Sequence, residues 1–592
     1  MQNTATGKIS RATSLAFKVE GAETYNRKFC TLDRVHRDAA QHLCVAGIGG
    51  PRRRHSMWTR IRRLLKKWGM SLSAKGPGFW RFVGSVPVLR RFFNRLFINL
   101  ITNSTKPRPH PLSLWGPGAT ASTPAGAASA GYVSWTGLVD RTYTGRHLPP
   151  ADQSYVDALP ALDKLRPLFQ RQPQLTPCPK STALFGFFAQ WFTDSFLRTD
   201  PNDYRKTTSN HEIDLCQIYG LDAGDTDILR AHTGGLLRSE INDGNEYPAR
   251  LFGDDGHVKT EFLKLKYVDK DTRDLNPAIF AAQHFANMPE RKPDLFVSGL
   301  ERGNSTIFYS AISTIFLREH NRLCREMAKR HPDWDDNRLF ETARNANIVE
   351  LLKIIIGDYI NHLSTALFHV YVDPGIADTQ RWYRTNRIAA EFDLLYRWHP
   401  LAPTDFTLDT ALPNEQFRYN NALLFKYGIE KIFDEGSKQH AGRIMLHNTP
   451  EFLVDFEVAA LKKARYWRIQ SYNAYRECFD LDPVSSFEEL TGDKALAAEL
   501  EALYGKVDNV EFTVGLLAEQ RPANAPIGET MMYMVGGDAF SQALTNPLLA
   551  NGIYCEDCFS DVGMEALKAT STFADIVRRN TQSTGGKVSF DI

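Results

Sequence analysis

At 592 residues the chain is long enough to bury a large core, and 43% hydrophobic with 23% charged residues is an ordinary globular composition. The formal net charge of +3 excludes recognition of a polyanion by overall charge, and no uninterrupted apolar run is long enough for a membrane-spanning helix. Eight cysteines stand at 30, 44, 178, 216, 324, 478, 555 and 558. Only Cys555 and Cys558 form a CxxC, and without a second pair it reads as reduced or incidental rather than as a zinc site.

Residues 1–50 show no clear periodicity and read as an N-terminal arm without a hydrophobic signal core, so a non-secreted chain is expected. The next segment, 51–106, is basic and amphipathic: Pro51 to Leu100 holds thirteen Lys or Arg and no acid. Trp58, Ile61, Leu65 and Trp68 recur at helical spacing, as do Leu89, Phe92, Phe93, Leu96, Phe97 and Leu100, with Gly76-Pro77-Gly78 between the two stripes. Short basic helices carrying Trp and Phe suit a monotopic contact with the membrane surface. Nucleic acid is not expected, because the aromatic residues share an apolar helix face rather than a strand platform. Lys106 to Ala130, rich in Pro, Gly, Ala and Ser, reads as a linker, and 107–592 as one mainly α-helical catalytic domain. Within it, Phe308 to Met327 shows helical apolar spacing, Asp333 to Arg338 a turn and a new helix start, Leu339 to Leu367 a long helix, and Ala495 to Leu503 another. Strand-like alternation is scarce.

The segment 391–400, EFDLLYRWHP, is the most informative in the chain. It sets a redox-capable phenol, Tyr396, three residues before a possible metal ligand, His399. On a helix the two share a face. The alternative is a structural histidine near a helix end, since a residue before Pro is pushed out of the α region.

Other segments widen the picture: Gly131–Pro150 (GYVSWTGLVDRTYTGRHLPP), Phe187–Thr199 (FFAQWFTDSFLRT), His211–Gly220 (HEIDLCQIYG), Phe316–Arg322 (FLREHNR), His331–Phe340 (HPDWDDNRLF), Ile354–Ser364 (IIIGDYINHLS), Phe487–Gly505 and Ile527–Met531. In this order, from about 55 to 575, the chain resembles the cyclooxygenase (prostaglandin-endoperoxide synthase) and fatty-acid dioxygenase branch of the animal haem peroxidases. The resemblance implies a mainly α animal haem peroxidase fold with an N-terminal amphipathic-helix membrane-binding segment. It implies haem b, with His399 as proximal iron ligand and Tyr504 and Trp398 beside the cofactor. Tyr396 becomes the radical-forming tyrosine, Tyr359 its hydrogen-bond partner, and Gln190 the distal glutamine. Phe392, Leu395 and Ile360 fall along the substrate channel.

Three positions depart from the family pattern. Asp194 stands where the distal histidine is expected, and an ordinary aspartate is ionised at neutral pH, so peroxide processing is expected to be weakened or altered. Ile101 and Ala366 replace the arginine and tyrosine that hold the substrate carboxylate, with Arg90 or Arg91 as substitute cations. Ser541 is the candidate for the acetylatable serine, although register counted from Asn546-Pro547 gives Ala539. The expected activity is haem-dependent dioxygenation of an unsaturated fatty acid by O2, initiated by peroxide, in a membrane-associated protein on the cytoplasmic side, with a homodimer as an assembly the resemblance allows. The alternatives are a haem peroxidase, a fatty-acid hydroperoxide isomerase, or a catalytically lapsed haem-binding protein.

Overall fold

The computed structural model describes residues 75–103 and 139–592, except 269–273, 381, 384–386, 523 and 583–584. The arm at 1–50, the Trp58–Trp68 stripe and the 106–130 linker lie outside the described residues. The described residues all belong to the unit Ile61–Ile592. The helices that position the site are α1 (Pro77–Ser85), α2 (Pro87–Thr102), α3 (Ala183–Thr193), α4 (Ile307–Arg330), α5 (Asp336–Ile354), α6 (Ala390–Leu395), α7 (Glu451–Tyr466) and α8 (Glu529–Leu544). Strands are few, as the sequence suggests. Among the described residues they are β1 (Pro177–Thr182), β2 (Ser239–Asn242), β3 (Asn245–Pro248), β4 (Asp405–Thr407), β5 (Ala411–Pro413) and β6 (His440–Gly442), paired antiparallel as β1–β6, β2–β3 and β4–β5.

The central helix is α4. Thr306 caps it by accepting from the Tyr309 amide, and Phe308, Ile312, Ile315, Phe316, Leu323 and Met327 are all buried, so the expected spacing marks a core helix. It packs against α3 and α5. The expected start near Asp335 is also present: its carboxylate accepts from the Arg338 amide. The expected continuation to Leu367 is not. After Ile354 the backbone widens into a π turn at Ile355–Tyr359, resumes as a single α turn at Ile360–Leu363, and leaves the helix at Ser364. Asn361 is the physical cause of the end. Its amide nitrogen donates to the Gly357 and Val370 carbonyls, and its oxygen accepts from the Val370 amide, folding the chain back on itself.

At the N-terminal side, Gly76-Pro77-Gly78 does more than separate two stripes. Pro77 is the first residue of α1, which buries Trp80 and Val83. Trp80, Phe93, Phe97 and Phe368 form one aromatic cluster with centroid separations of 5.3–6.4 Å. Helix α2 rests on α8, where a Cβ on Gly536 would come within 2.9 Å of Ile101.

Strands β1 and β6 form the platform for the site. Thr182, the last residue of β1, caps α3 by accepting from the Phe185 amide. Gly442, at the end of β6, lies so close to the Pro400 carbonyl that any Cβ would collide with it. Gly442→Ala therefore forces the 399–401 turn away from β6. We expect this variant to lose about 1–3 kcal/mol, seen as a lower urea midpoint with an unchanged slope.

Asp393 of α6 ties this segment to α7. Its carboxylate contacts Arg397 at 2.9 Å and pairs with Lys463, which also donates to Thr199. Burial pushes the Asp393 carboxyl up, but Arg397 and Lys463 outweigh it and hold the group at about 2. Burial pushes the Lys463 ammonium down to about 8, still charged at neutral pH. An unfolded aspartate titrates at 3.8. The contribution of Asp393 is thus complete above about pH 4 and is lost as pH falls toward 2. We expect wild type to lose about 2 kcal/mol over that interval through this group, and Asp393→Asn to show a correspondingly flatter acid limb in thermal unfolding against pH.

Candidate active site around Tyr396 and His399

Helix α6 carries Glu391 in its first turn, where the buried carboxylate accepts from Tyr475 Oη at 2.9 Å and from the His147 amide at 3.0 Å. The helix then stops. Tyr396 has φ −89° and ψ 24°, Trp398 has φ −92° and ψ 36°, and a 3-10 turn begins at His399. The i, i+3 spacing is consequently not a shared helix face. The chain turns between the phenol and the imidazole, and Pro400, which sits comfortably at the start of a new turn, fixes the break.

The two side chains face different surroundings. Tyr396 lies in the core, its ring 4.9 Å from Phe392 and 4.5 Å from Trp398. Its neighbour Tyr359 is delivered by the π turn, a local distortion that recurs at functional sites. Phe185, Phe188 and Phe192 of α3 pack around Tyr359 at 5.2–6.1 Å. Burial raises the pKa of both phenols. Proximity to Tyr396 raises that of Tyr359 further, whereas the Tyr359 hydroxyl draws that of Tyr396 partly back. Both hydroxyl oxygens are buried, and neither makes a hydrogen bond in this structure. Phe392, Leu395 and Ile360 are themselves buried, and of these Phe392 is seen against the Tyr396 ring.

His399, by contrast, keeps 21% of its side chain accessible, and its Nδ1 lies 3.0 Å from Glu457 Oε1. The pair is at ion-pair distance with an off-line N–H angle. Helix α3 approaches the same turn, since a Cβ on Gly186 would touch Leu401. One turn further along α3, Gln190 is exposed on a helix otherwise almost wholly buried. The imidazole and the amide therefore both border open space, on elements that pack against each other.

Asp194 follows α3 but is committed elsewhere. Tyr309 Oη donates to it at 2.9 Å, Arg302 lies at 3.3 Å, and Arg198, itself forked onto Glu301, lies at 3.9 Å. Tyr504 donates to Glu511 at 2.9 Å, and Arg465 holds the same carboxylate. Its hydroxyl thus has a structural partner. Ser541 is buried in α8 and donates to the Asp538 carbonyl of its own helix; Ala539 is buried beside it. Arg91 and Arg95 both bind Asp373, and Arg90 lies over Tyr371, so the cations proposed for a substrate carboxylate have partners already.

An imidazole with one nitrogen beside a buried carboxylate and the other available is the donor arrangement of a metal-bound histidine. With aromatic side chains packed beside the turn and the Gln190 amide exposed on the adjoining helix, these residues fit haem. Glu457 is the member that the motif analysis missed. Its signal was present: Glu457 falls on the buried stripe of α7 with Val454, Leu461 and Ala464, where an acid has no place unless something pairs with it.

Residues 193–590 match the family model for animal haem peroxidases. The chain is 34% identical over 534 residues to prostaglandin G/H synthase 2 of Cavia porcellus, covering 87% of this chain and 81% of that one. It is 32% identical over 544 residues to prostaglandin G/H synthase 1 of Mus musculus, covering 89% and 83%. Among solved structures, fatty acid alpha-dioxygenase of Oryza sativa superposes with a TM-score of 0.62 at 16% identity, covering 89% of this chain and 94% of that one. Peroxidase A of Dictyostelium discoideum superposes with a TM-score of 0.58 at 18% identity, covering 76% and 95%. The fold, the histidine turn and these matches agree: the chain belongs to the animal haem peroxidase family and is a haem-using oxidoreductase related to the prostaglandin G/H synthases.

Proposed function

We propose that the protein oxygenates an unsaturated fatty acid to a hydroperoxide, using Tyr396 as the hydrogen-abstracting group. The observation that carries this reading is the burial of two adjacent phenols, Tyr396 and Tyr359, beside the turn that presents His399. Haem held by His399 would supply the oxidising power after reaction with peroxide. Tyr396 then gives up its hydroxyl hydrogen atom, and the resulting phenoxyl takes a hydrogen atom from a fatty-acid carbon next to a double bond. The carbon radical adds O2, and the peroxyl radical takes the hydrogen atom back from the Tyr396 hydroxyl, giving the hydroperoxide and regenerating the phenoxyl. Tyr359 lies beside the phenol and influences its ionisation, and the aromatic wall keeps water from the radical.

The distal side supports slow peroxide handling. Asp194 is locked by Tyr309, Arg302 and Arg198, so a proton acceptor free to move between the two peroxide oxygens is not provided by that residue. This favours, as a second reading, isomerisation of a ready-made lipid hydroperoxide. Anaerobic incubation with purified hydroperoxide separates the two, because only oxygenation needs O2.

Membrane contact is proposed from α1 and α2. Phe79, Phe82, Val88 and Phe92 are exposed there, with Arg81 and Arg90 among them. No described helix is long and apolar enough to cross a membrane, which suits a contact that lies in the interface.

Two outcomes are expected. With linoleate or arachidonate and a trace of peroxide, the haem-loaded protein consumes O2, and Tyr396→Phe reduces the rate at least a hundredfold while keeping the haem spectrum; full uptake by that variant removes the radical role. In flotation with anionic vesicles, Phe82→Glu/Phe92→Glu stays in the soluble fraction where wild type floats. Equal flotation places the contact elsewhere.

A further inference from the structure

The acid beside His399 is an unusual thing to bury. Glu457 is 3% exposed, and among the described residues no lysine or arginine pairs with it. Its contacts are the His399 imidazole, 3.0 Å from Oε1, and the Thr449 hydroxyl, which donates to the same oxygen at 3.2 Å. Thr449 is itself fully buried and fixed by its backbone, whose amide donates to the Phe169 carbonyl. The carboxylate is therefore aimed rather than free. Helix α7, which supplies it, is tied to the Tyr396 segment through Lys463 and Asp393. One helix thus positions both the acid and the segment bearing the phenol.

We infer that Glu457 is a positioning residue that anchors His399 through Nδ1, leaving Nε2 for the cofactor and lending the ring part of its negative charge. A carboxylate partner makes an imidazole a stronger donor than a neutral partner does. It follows that iron held by this histidine is stabilised in its oxidised form and bound through a stiffened iron–nitrogen bond. The inference deepens the haem-oxygenase reading and depends on His399 being the ligand. It gives the proximal side a role that the committed Asp194 does not fill on the distal side: electron donation toward the iron, where proton transfer from Asp194 is restricted.

The test uses the full chain reconstituted with haem. Glu457→Gln keeps the shape and a hydrogen-bonding group but removes the charge. Glu457→Asp keeps the charge on a shorter arm. Two quantities are read besides turnover: the midpoint potential of the bound haem, and the iron–histidine stretching frequency of the ferrous form by resonance Raman spectroscopy. In Glu457→Gln the potential is expected to move up and the frequency down, while Glu457→Asp stays nearer to wild type in both. If Glu457→Gln does not retain haem, Glu457→Asp alone decides, by a smaller shift in the same directions. Potentials and frequencies equal to wild type in the haem-bound variants overturn the inference. A wild-type spectrum without an iron–histidine band, or one that survives His399→Ala, instead overturns the assignment of His399 as ligand.

Discussion

The break in the chain after Leu395 is the constraint on which the site depends. Had α6 run on, Tyr396 and His399 would lie on one helix face and compete for the same surroundings. Because the helix ends at Tyr396 and a new turn starts at His399, the phenol drops into the aromatic core while the imidazole faces accessible space. Three elements keep this turn in place. Gly442 of β6 admits the Pro400 carbonyl, Gly186 of α3 admits Leu401, and Arg171 donates to the Pro400 and Ala402 carbonyls. At Gly442 the backbone approach is one that a Cβ would prevent, whereas a Cβ at Gly186 would make only ordinary van der Waals contact.

Charge is distributed around the site with equal economy. Asp393 with Lys463, Asp194 and Glu301 with Arg198, and Glu511 with Arg465 are largely buried, and the exposed Arg302 reaches Asp194 from the surface. Such groups add little net stability compared with apolar packing, but removing one partner strands the other and costs several kcal/mol. They act as fasteners, fixing the ends of α3, α6 and α7 relative to one another. The consequence for chemistry is that Asp194 and Tyr504, both attractive from the motif alone, already have hydrogen-bond partners, whereas Gln190 and His399 border the open space.

Much of this was legible in the sequence, because the relevant signals are local or periodic. The apolar spacing from Phe308 to Met327 marked α4, and Asp335 marked the start of α5. The Lys494–Tyr504 helix falls within one residue of its expected bounds. The π turn at Ile355–Tyr359 was not legible, since a helix widened by one residue keeps nearly the same apolar pattern and is ended here by a distant pairing of Asn361 with Val370. Helix α1 was hidden by reading Gly-Pro-Gly as a break when its proline begins a helix. Glu457 lay outside every quoted motif, and only the fold brings it 58 residues back to His399 in space.

The proposed function requires haem against His399 within electron-transfer reach of Tyr396. Rapid-freeze electron paramagnetic resonance of the haem-loaded protein, mixed with one equivalent of ethyl hydroperoxide, addresses it directly. The expected signal is an organic radical whose ring-proton splittings are those of a tyrosyl, absent in Tyr396→Phe and absent when His399→Ala has removed the haem. A radical of the same line shape and yield in Tyr396→Phe, or none in wild type with the haem fully bound, would contradict it.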